Sequence, residues 1–588
     1  MKLLKLLVHS IPAGALFALL LALLLFYLNP EAELGAAALW STWLAFAAVY
    51  GLLAALLWPF GLLALRFFAE RPLDLPWAGF AVFHRLHLVN LALAVLIWWA
   101  NFLTTSVLLA APTRRLLLAG CGLLSLVWVL GVGLSLQRVV FRTPGAARIQ
   151  AALVAVLYVA LIGLRAGAGG TADDAAVYRP ALEELSAERR LTIIAVDGLS
   201  PDLIVPLVAE GKLPSFRRMM REGSWARVES FAPCIQPPIW TTVATGVLPS
   251  QHGIRDSARF LARGGAISFA QPVRHVFFRR LTDLGLFSQR PVTSRDRRRP
   301  ALWNILDAFG MPVGVVQWWT TEPPEDVRGT IRPQLAAAAE GPWAAAPVDP
   351  GLAERVEERL ARLADWSQAE EDEGEALRAT VRWALERDLR ALEQAVEAEE
   401  TVRPTATLVY LPGLDAVQHR FLGYAFGASF WEGTGRPHPA YGDVVARYYR
   451  FLDEALAGYL SPEPGESRLL VVVSGFGVDR VPPWSLLVRA VLGNPGGEGY
   501  HDRAPAGALF AWGEGVEAGA QAPAVRPQDV LPTALYYLGL PVARDLDGKP
   551  RTDLFGAEFT DAQPLAYFPS YRGVETGWRP ERSPQPAP

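Results

Sequence analysis

The sequence predicts an α/β protein in two parts: a multi-span α-helical membrane domain over residues 1–165, then a doubly wound α/β domain over residues 190–565. Three observations predict it. Five long apolar runs crowd the first third of the chain. Beyond residue 190, short β-branched apolar runs alternate with helical sequence. Acidic residues are segregated too, since residues 1–165 hold only Glu31, Glu33, Glu70 and Asp74 of the 58 carboxylates. A chain of 588 residues exceeds one compact domain, because single cores stop growing at ~250–300 residues.

Crossing ~30 Å of hydrocarbon takes about 20 apolar residues. Five stretches qualify: Val8–Leu28, Ala37–Leu57, Leu86–Leu108, Leu116–Leu136 and Ile149–Leu164. The first is too long for a cleavable signal core of ~7–15 residues. Trp40, Trp43, Trp58, Trp98 and Trp99 lie near span ends, where an amphipathic ring favours the interface. Lys2, Lys5, Arg66, Arg71, Arg85, Arg138, Arg142 and Arg148 fall on one side of the spans, and Arg114 and Arg115 on the other. Basic loops stay inside. This places the N-terminus in the cytoplasm and, after five spans, the C-terminal domain in the extracytoplasmic, periplasmic space. The partner of the first third is the lipid bilayer of the cytoplasmic membrane.

Residues 166–189 read as a linker. Leu191–Val196 then forms an unbroken apolar run, the pattern of a strand buried on both faces, and ends in Asp197-Gly198. A helical pattern covers Asp202–Glu222, interrupted near Leu213-Pro214. Similar runs at Val313–Val316, Thr407–Leu411 and Leu469–Val473, each followed by polar or glycine-rich sequence, predict a largely parallel sheet. Residues 333–400 are rich in Ala, Glu and Arg at helical spacing, as in Leu352–Leu363 and Glu375–Ala398, and read as a helical insertion or cap. Residues 566–588, with Pro, Arg and Ser, read as a disordered tail. A net charge of −3 gives no electrostatic basis for a nucleic-acid partner. The basic run Arg295–Arg299 reads as a solvated loop. Two cysteines, Cys121 and Cys234, exclude a disulfide framework.

In doubly wound sheets, ligands sit beyond the carboxyl ends of the strands. Asp197 lies at one such end. Asp415 and His419 lie at another and share a helix face at four-residue spacing. His501 sits in a loop leading into an apolar strand. An Asp, His, His set suits one zinc or similar divalent ion and leaves a coordination position open.

The ordered segments VDGLSPDLI, GKLPSFRRMMREGSWA, APCIQPPIWTTVATGVLPSQHGI, VGVVQWWTTEPPEDVRG, LPGLDAVQHR, LLVVVSGFG, GYHDRAPAGALFAWGEGV and QDVLPTALYYLGLPVARDLDGKP strongly resemble the type I phosphodiesterase/nucleotide pyrophosphatase family of the alkaline phosphatase superfamily. The resemblance implies an alkaline-phosphatase-like fold. It also implies two zinc ions flanking a Thr or Ser nucleophile that forms a covalent intermediate. It assigns Asp415, His419 and His501 to one metal and Asp197 to the other, with His252 structural.

Two departures follow from the same alignment of motifs. The nucleophile position before Pro-Pro-x-Trp is Gln236, an amide that forms no phosphoenzyme. The Asp-His metal pair expected after Ser474 is Gly475-Phe476. Cys234 is a remote stand-in nucleophile. One metal with Asp197 close by is therefore expected, and a second is not. The resemblance then implies a degenerate membrane-anchored relative that binds a phosphoester or anionic envelope ligand. The alternatives are a single-metal phosphodiesterase with Asp197 as base, and a headgroup transferase.

Overall fold

In a computed structural model of the chain, residues 2–54, 56–58, 80–141, 146–168, 189–333, 350–364, 371–426, 440–461, 467–480, 499–501 and 505–574 are described. The chain divides into two compact units: residues 1–175 with 255–292, and residues 176–254 with 293–588.

The first unit contains helices α1 (Lys2–Leu28), α2 (Ala36–Phe46), α3 (Phe80–Thr105), α4 (Ala111–Phe141) and α5 (Ala146–Gly167). α2 runs on through a π-helical turn at Ala47–Gly51. Among the described residues, five helical stretches are long and apolar enough to cross a membrane: Leu7–Leu28, Ala36–Trp58, Phe83–Leu108, Ala111–Gln137 and Arg148–Gly167. Several of their buried polar side chains bond to backbone carbonyls. The Arg165 guanidinium donates to the carbonyls of Phe26, Asn29, Pro30 and Ala32, and Tyr27 Oη donates to Leu161 O at 2.8 Å. A buried donor left without an acceptor would be costly in such surroundings.

Residues 255–292, which the sequence assigned to the α/β part, cluster with these helices. They form a small antiparallel sheet of Ala258–Ala262, Ser268–Phe269 and Phe287–Pro291. Phe260, Phe269, Phe278 and Phe287 share one apolar cluster with Phe26 and Phe46, and buried Arg255 pairs with Glu31. Aromatic residues scattered through an insertion carry no periodic signal, so only packing reveals this association.

The second unit is built on strands β1 (Arg190–Val196), β2 (Ser224–Val228), β3 (Val313–Val316), β4 (Gly329–Arg332), β5 (Ala406–Leu411), β6 (Arg468–Val473), β7 (Gly507–Gly513) and β8 (Ala520–Gln521). They form one sheet in the order β8-β2-β7-β6-β1-β5-β3-β4. β1 lies at its centre, parallel to both β5 and β6, whereas β7 runs antiparallel to β6 and β2. The sheet is thus mixed, with one reversed strand in an otherwise parallel array. β5 is buried along its whole length and β1 along all but its first residue, which explains their unbroken apolar sequences.

Helices cover both faces. Among them are α6 (Gln236–Thr245), α7 (Pro350–Leu363), α8 (Glu371–Val402), α9 (Gly413–Phe426) and α10 (Val444–Leu456). The insertion is part of the core. Val381, Ala384, Leu385, Ala391 and Ala395 of α8 pack in one cluster with Val316, Val409 and Leu411. Residues 334–349 of the insertion and most of the expected linker, 169–188, lie outside the described residues.

Two surface expectations are corrected. In the Arg295–Arg299 run, Arg297 pairs with Glu325 at 2.7 Å, with side-chain exposures of 1% and 2%, and stacks over Trp303. Arg299 pairs with Asp545 at 3.4 Å. These charges are buried because carboxylates distant in sequence meet them there. In the expected tail, Tyr567–Phe568 pairs with Val542–Ala543, and Tyr571 and Val574 join the core. Residues 575–588 lie outside the described residues.

Candidate functional site

The ends of β1 and β5 bring the site together. Asp197 follows β1 directly, and its N–H bonds to Leu411 O at the end of β5. Gly198 turns the chain at a φ of +77°, a left-handed conformation that glycine tolerates. Its carbonyl accepts from Gln418 Nε2 at 2.8 Å, which ties α9 to the end of β1. A Cβ at Gly198 would stand 2.7 Å from that same nitrogen.

α9 starts two residues after β5 and carries Asp415 in its first turn and His419 one turn on. Asp415 Oδ2 lies 3.4 Å from His419 Nε2, and Oδ1 lies 4.0 Å from His501 Nε2. One ligand atom from each of the three residues falls within 4.8 Å of the others. Asp415 and His501 are buried, while His419 is half-buried. Asp415 Oδ1 is buried with no hydrogen-bond partner. An unpartnered carboxylate oxygen facing two imidazoles fits a bound cation, since each of the three offers an oxygen or nitrogen of the kind zinc takes.

Asp197 stands apart from that trio. Its carboxylate accepts from Trp240 Nε1 at 2.7 Å and from Tyr410 Oη. Burial raises its pKa well above the carboxylate range, and the charge of Asp415 raises it further. The bonds from Tyr410 and Trp240 and the nearby His419 offset this only in part. Asp415 goes the other way. Burial alone would raise it, but His419, His501 and the Gln236 amide outweigh burial and hold it below its usual range. The two carboxyls are therefore pushed in opposite directions, Asp197 upward by burial and Asp415 downward by the facing histidines.

Gln236 heads α6, and its Nε2 donates to Asp415 Oδ2 at 3.4 Å. An amide donor thus stands where the resemblance placed a hydroxyl nucleophile. Gly475-Phe476 follows β6. The Phe476 ring is fully buried and stacks on His501, centroids 4.7 Å apart. A Cβ at Gly475 would lie 2.2 Å from Ile239 Cγ2 of α6. A side chain at 475 requires Ile239 to move.

The neighbouring candidates are occupied otherwise. Cys234 is buried with Sγ 3.7 Å from Phe231 O. His252 is fully buried between Ile254 N–H, which bonds its Nδ1 at 3.2 Å, and Thr242 Oγ1, 3.0 Å from its Nε2. Burial lowers its pKa to about 3, helped by Arg297. A neutral ring then donates from Nε2 to Thr242, whose hydroxyl donates to Pro238 O at 2.8 Å and braces α6.

The sequence reading missed the residues that hold this site in place. Tyr410 and Trp240 each donate to one oxygen of Asp197. Asp388 of α8 accepts from Gly413 N–H at 3.0 Å and from Tyr448 Oη at 2.8 Å, which anchors the first turn of α9. Tyr410 lies in a strand buried on both faces, where alternation gives no hint of which side chain points to the site.

The sequence pattern of the type I phosphodiesterase / nucleotide pyrophosphatase family matches residues 191–509, more than half of the chain. No curated protein matches. Among solved structures, the chain is similar to murine ectonucleotide pyrophosphatase / phosphodiesterase 5 in an inactive form in complex with AMP. The identity is 14%, the TM-score 0.36, and the match covers 63% of this chain and 100% of that one. The human ectonucleotide pyrophosphatase / phosphodiesterase 5 gives 14%, 0.34, 63% and 100%. A substituted alkaline phosphatase, PafA, gives 14%, 0.41, 65% and 100%.

Proposed function

Because the chain belongs to the type I phosphodiesterase / nucleotide pyrophosphatase family, we propose that it is a degenerate, membrane-anchored member that binds a phosphoester or anionic envelope ligand. Asp415, His419 and His501 would hold one zinc or similar ion. When bound, the ion supplies a positive charge and an open coordination position for an anionic oxygen.

The observation that carries the reading is the packing of Gly475 against Ile239, 2.2 Å from the site of a Cβ. With Phe476 against His501, it places Ile239 and an aromatic ring where the two expected ligands of a second metal would start. Gln236 donates hydrogen bonds and orients Asp415, but it cannot accept a phosphoryl group. The double-displacement route and the transferase alternative both need a hydroxyl at position 236.

A single-metal hydrolase is the second reading, supported by the grouping of Asp415, His419 and His501, in which His419 is only half-buried. It requires a base. Asp197 is poorly suited, because both its oxygens already accept hydrogen bonds and burial, with the charge of Asp415, raises its pKa.

Orientation belongs to the proposal too. The basic loops support a cytoplasmic N-terminus and a periplasmic C-terminal domain. Protease accessibility of the C-terminal domain in spheroplasts, but not in intact cells, is expected. Resistance in spheroplasts would reverse the orientation.

The functional test combines elemental analysis of the full-length protein in detergent with hydrolysis of a bis-aryl phosphate diester. One zinc per chain without turnover supports the binding protein. Metal-dependent turnover lost in both His419→Ala and His501→Ala would sink it in favour of the hydrolase.

A further inference from the structure

Residues of the α7, α8 and α10 helices line a half-open cavity, about 310 Å3 in volume and apart from the residues of the site above. That lies at the small end of the ~300–1,000 Å3 range of ligand pockets. Its lining is unusual in charge. Arg359 and Arg362 reach it from α7 and Arg447 and Arg450 from α10, while Glu454 is the one carboxylate in the lining. Phe451 supplies an apolar wall, with the Arg359 guanidinium 5.7 Å from its ring centroid.

The four cations are not equally satisfied. Arg359 pairs with Glu454. Arg362 pairs with Glu358 on its own helix, and Arg447 with Asp443 at 3.7 Å on its own. These pairs are solvent-exposed, and such pairs hold their partners weakly. Arg447 Nη1 also donates to Arg362 O at 3.3 Å, which keeps two of the cations together. Arg450 has no ion-pair partner among the described residues, and its Nε is buried with no hydrogen-bond acceptor. The buried Arg450 Nε–H, without an acceptor among the described residues and beside three weakly paired guanidinium groups, is a donor open to an anion.

We propose that this pocket is an anion site separate from the candidate metal centre, and that it takes a phosphate-bearing ligand, a phosphomonoester or pyrophosphate group, on Arg450 and its three neighbours. A phosphate group offers several charged oxygens in different directions, which suits several planar guanidinium forks better than one carboxylate does. The chemistry is shared by a soluble phosphate compound and a phosphate-headed lipid.

The test uses full-length protein in detergent, stripped of metal by chelation, with inorganic pyrophosphate titrated calorimetrically. Dihexanoyl phosphatidate is the second probe and dihexanoyl phosphatidylcholine its control. Pyrophosphate binding is expected to weaken about tenfold in Arg450→Ala, as for loss of one charge-assisted contact. Arg450→Lys, which keeps the charge but not the fork, should weaken it less, and His501→Ala should leave it unchanged. Matching thermal unfolding of Arg450→Ala and wild type shows that the loss is not one of folding, and the smaller loss in Arg450→Lys carries the same reading if the alanine variant unfolds early. Tighter binding of phosphatidate than of pyrophosphate would place the source in lipid, and the reverse in soluble compounds. The proposal is overturned if neither probe binds wild type, if Arg450→Ala and Arg447→Ala both bind normally, or if binding disappears in His501→Ala.

Discussion

Replacement of Asp388 by asparagine gives a pH-dependent stability change whose sign and size follow from its surroundings. The carboxyl is fully buried, and its partners are Gly413 N–H and Tyr448 Oη. Burial pushes its pKa up to about 7, despite the hydrogen bonds from Tyr448 and Gly413 that favour the ionised form. In the unfolded chain the group titrates near its ordinary value of about 4. Between those two values the native protein holds a proton that the unfolded chain has released. Stability from this group is therefore complete below about pH 4, falls as pH rises, and is flat again above about pH 7. Each tenfold difference in proton affinity is worth about 1.4 kcal/mol, so the full swing is about 4 kcal/mol. Asp388→Asn keeps a neutral group of the same shape, with an oxygen for Gly413 N–H and an amide that donates to Tyr448 Oη. The assay is urea unfolding of the full-length protein in detergent, followed by tryptophan fluorescence at about pH 5 and about pH 8. Wild type should lose about 3 kcal/mol more than the variant between the two, since part of the swing is already lost at pH 5 and all other titrations are common to both. Superimposable pH profiles, or a variant equally damaged at both, would refute the buried neutral carboxyl.

Gly475→Asp, which restores the family residue, should destabilise by about 1–3 kcal/mol through overpacking against Ile239. Adding Ile239→Ala should recover part of that loss in thermal unfolding. Glu325→Ala leaves the Arg297 guanidinium buried without its carboxylate and should cost about 3–5 kcal/mol, read as a lowered urea midpoint. Asp415→Ala removes the one carboxylate of the trio, and zinc retained after dialysis should fall below half of the wild-type content. Undiminished zinc would move the ion elsewhere.

Much of the architecture was legible because burial leaves a one-dimensional trace. Leu191–Val196, Thr407–Leu411 and Leu469–Val473 are unbroken apolar runs because they lie in the middle of a sheet covered on both faces. The five apolar helices announce themselves by length. The D-x3-H pair was legible for the same kind of reason, since one helical turn aligns Asp415 and His419, and the motif order carried His501 to them. Gln236 and Gly475-Phe476 were visible as substitutions at motif positions.

What the sequence left undetermined depends on partners remote along the chain. Arg297 reads as a solvated charge until Glu325 and Trp303 close around it. Residues 255–292 look like part of the α/β domain until their phenylalanines meet Phe26 and Phe46. Asp197 reads as a metal ligand from its place after β1, and only the fold shows that Trp240 and Tyr410 each donate to one of its oxygens. Gly475 reads as a lost ligand, and only the fold shows that a side chain there requires Ile239 to move. Hydropathy and periodicity report the environment averaged along a strand or helix. The identity of the single atom across the gap is set by how elements pack, and that is a property of the tertiary structure alone.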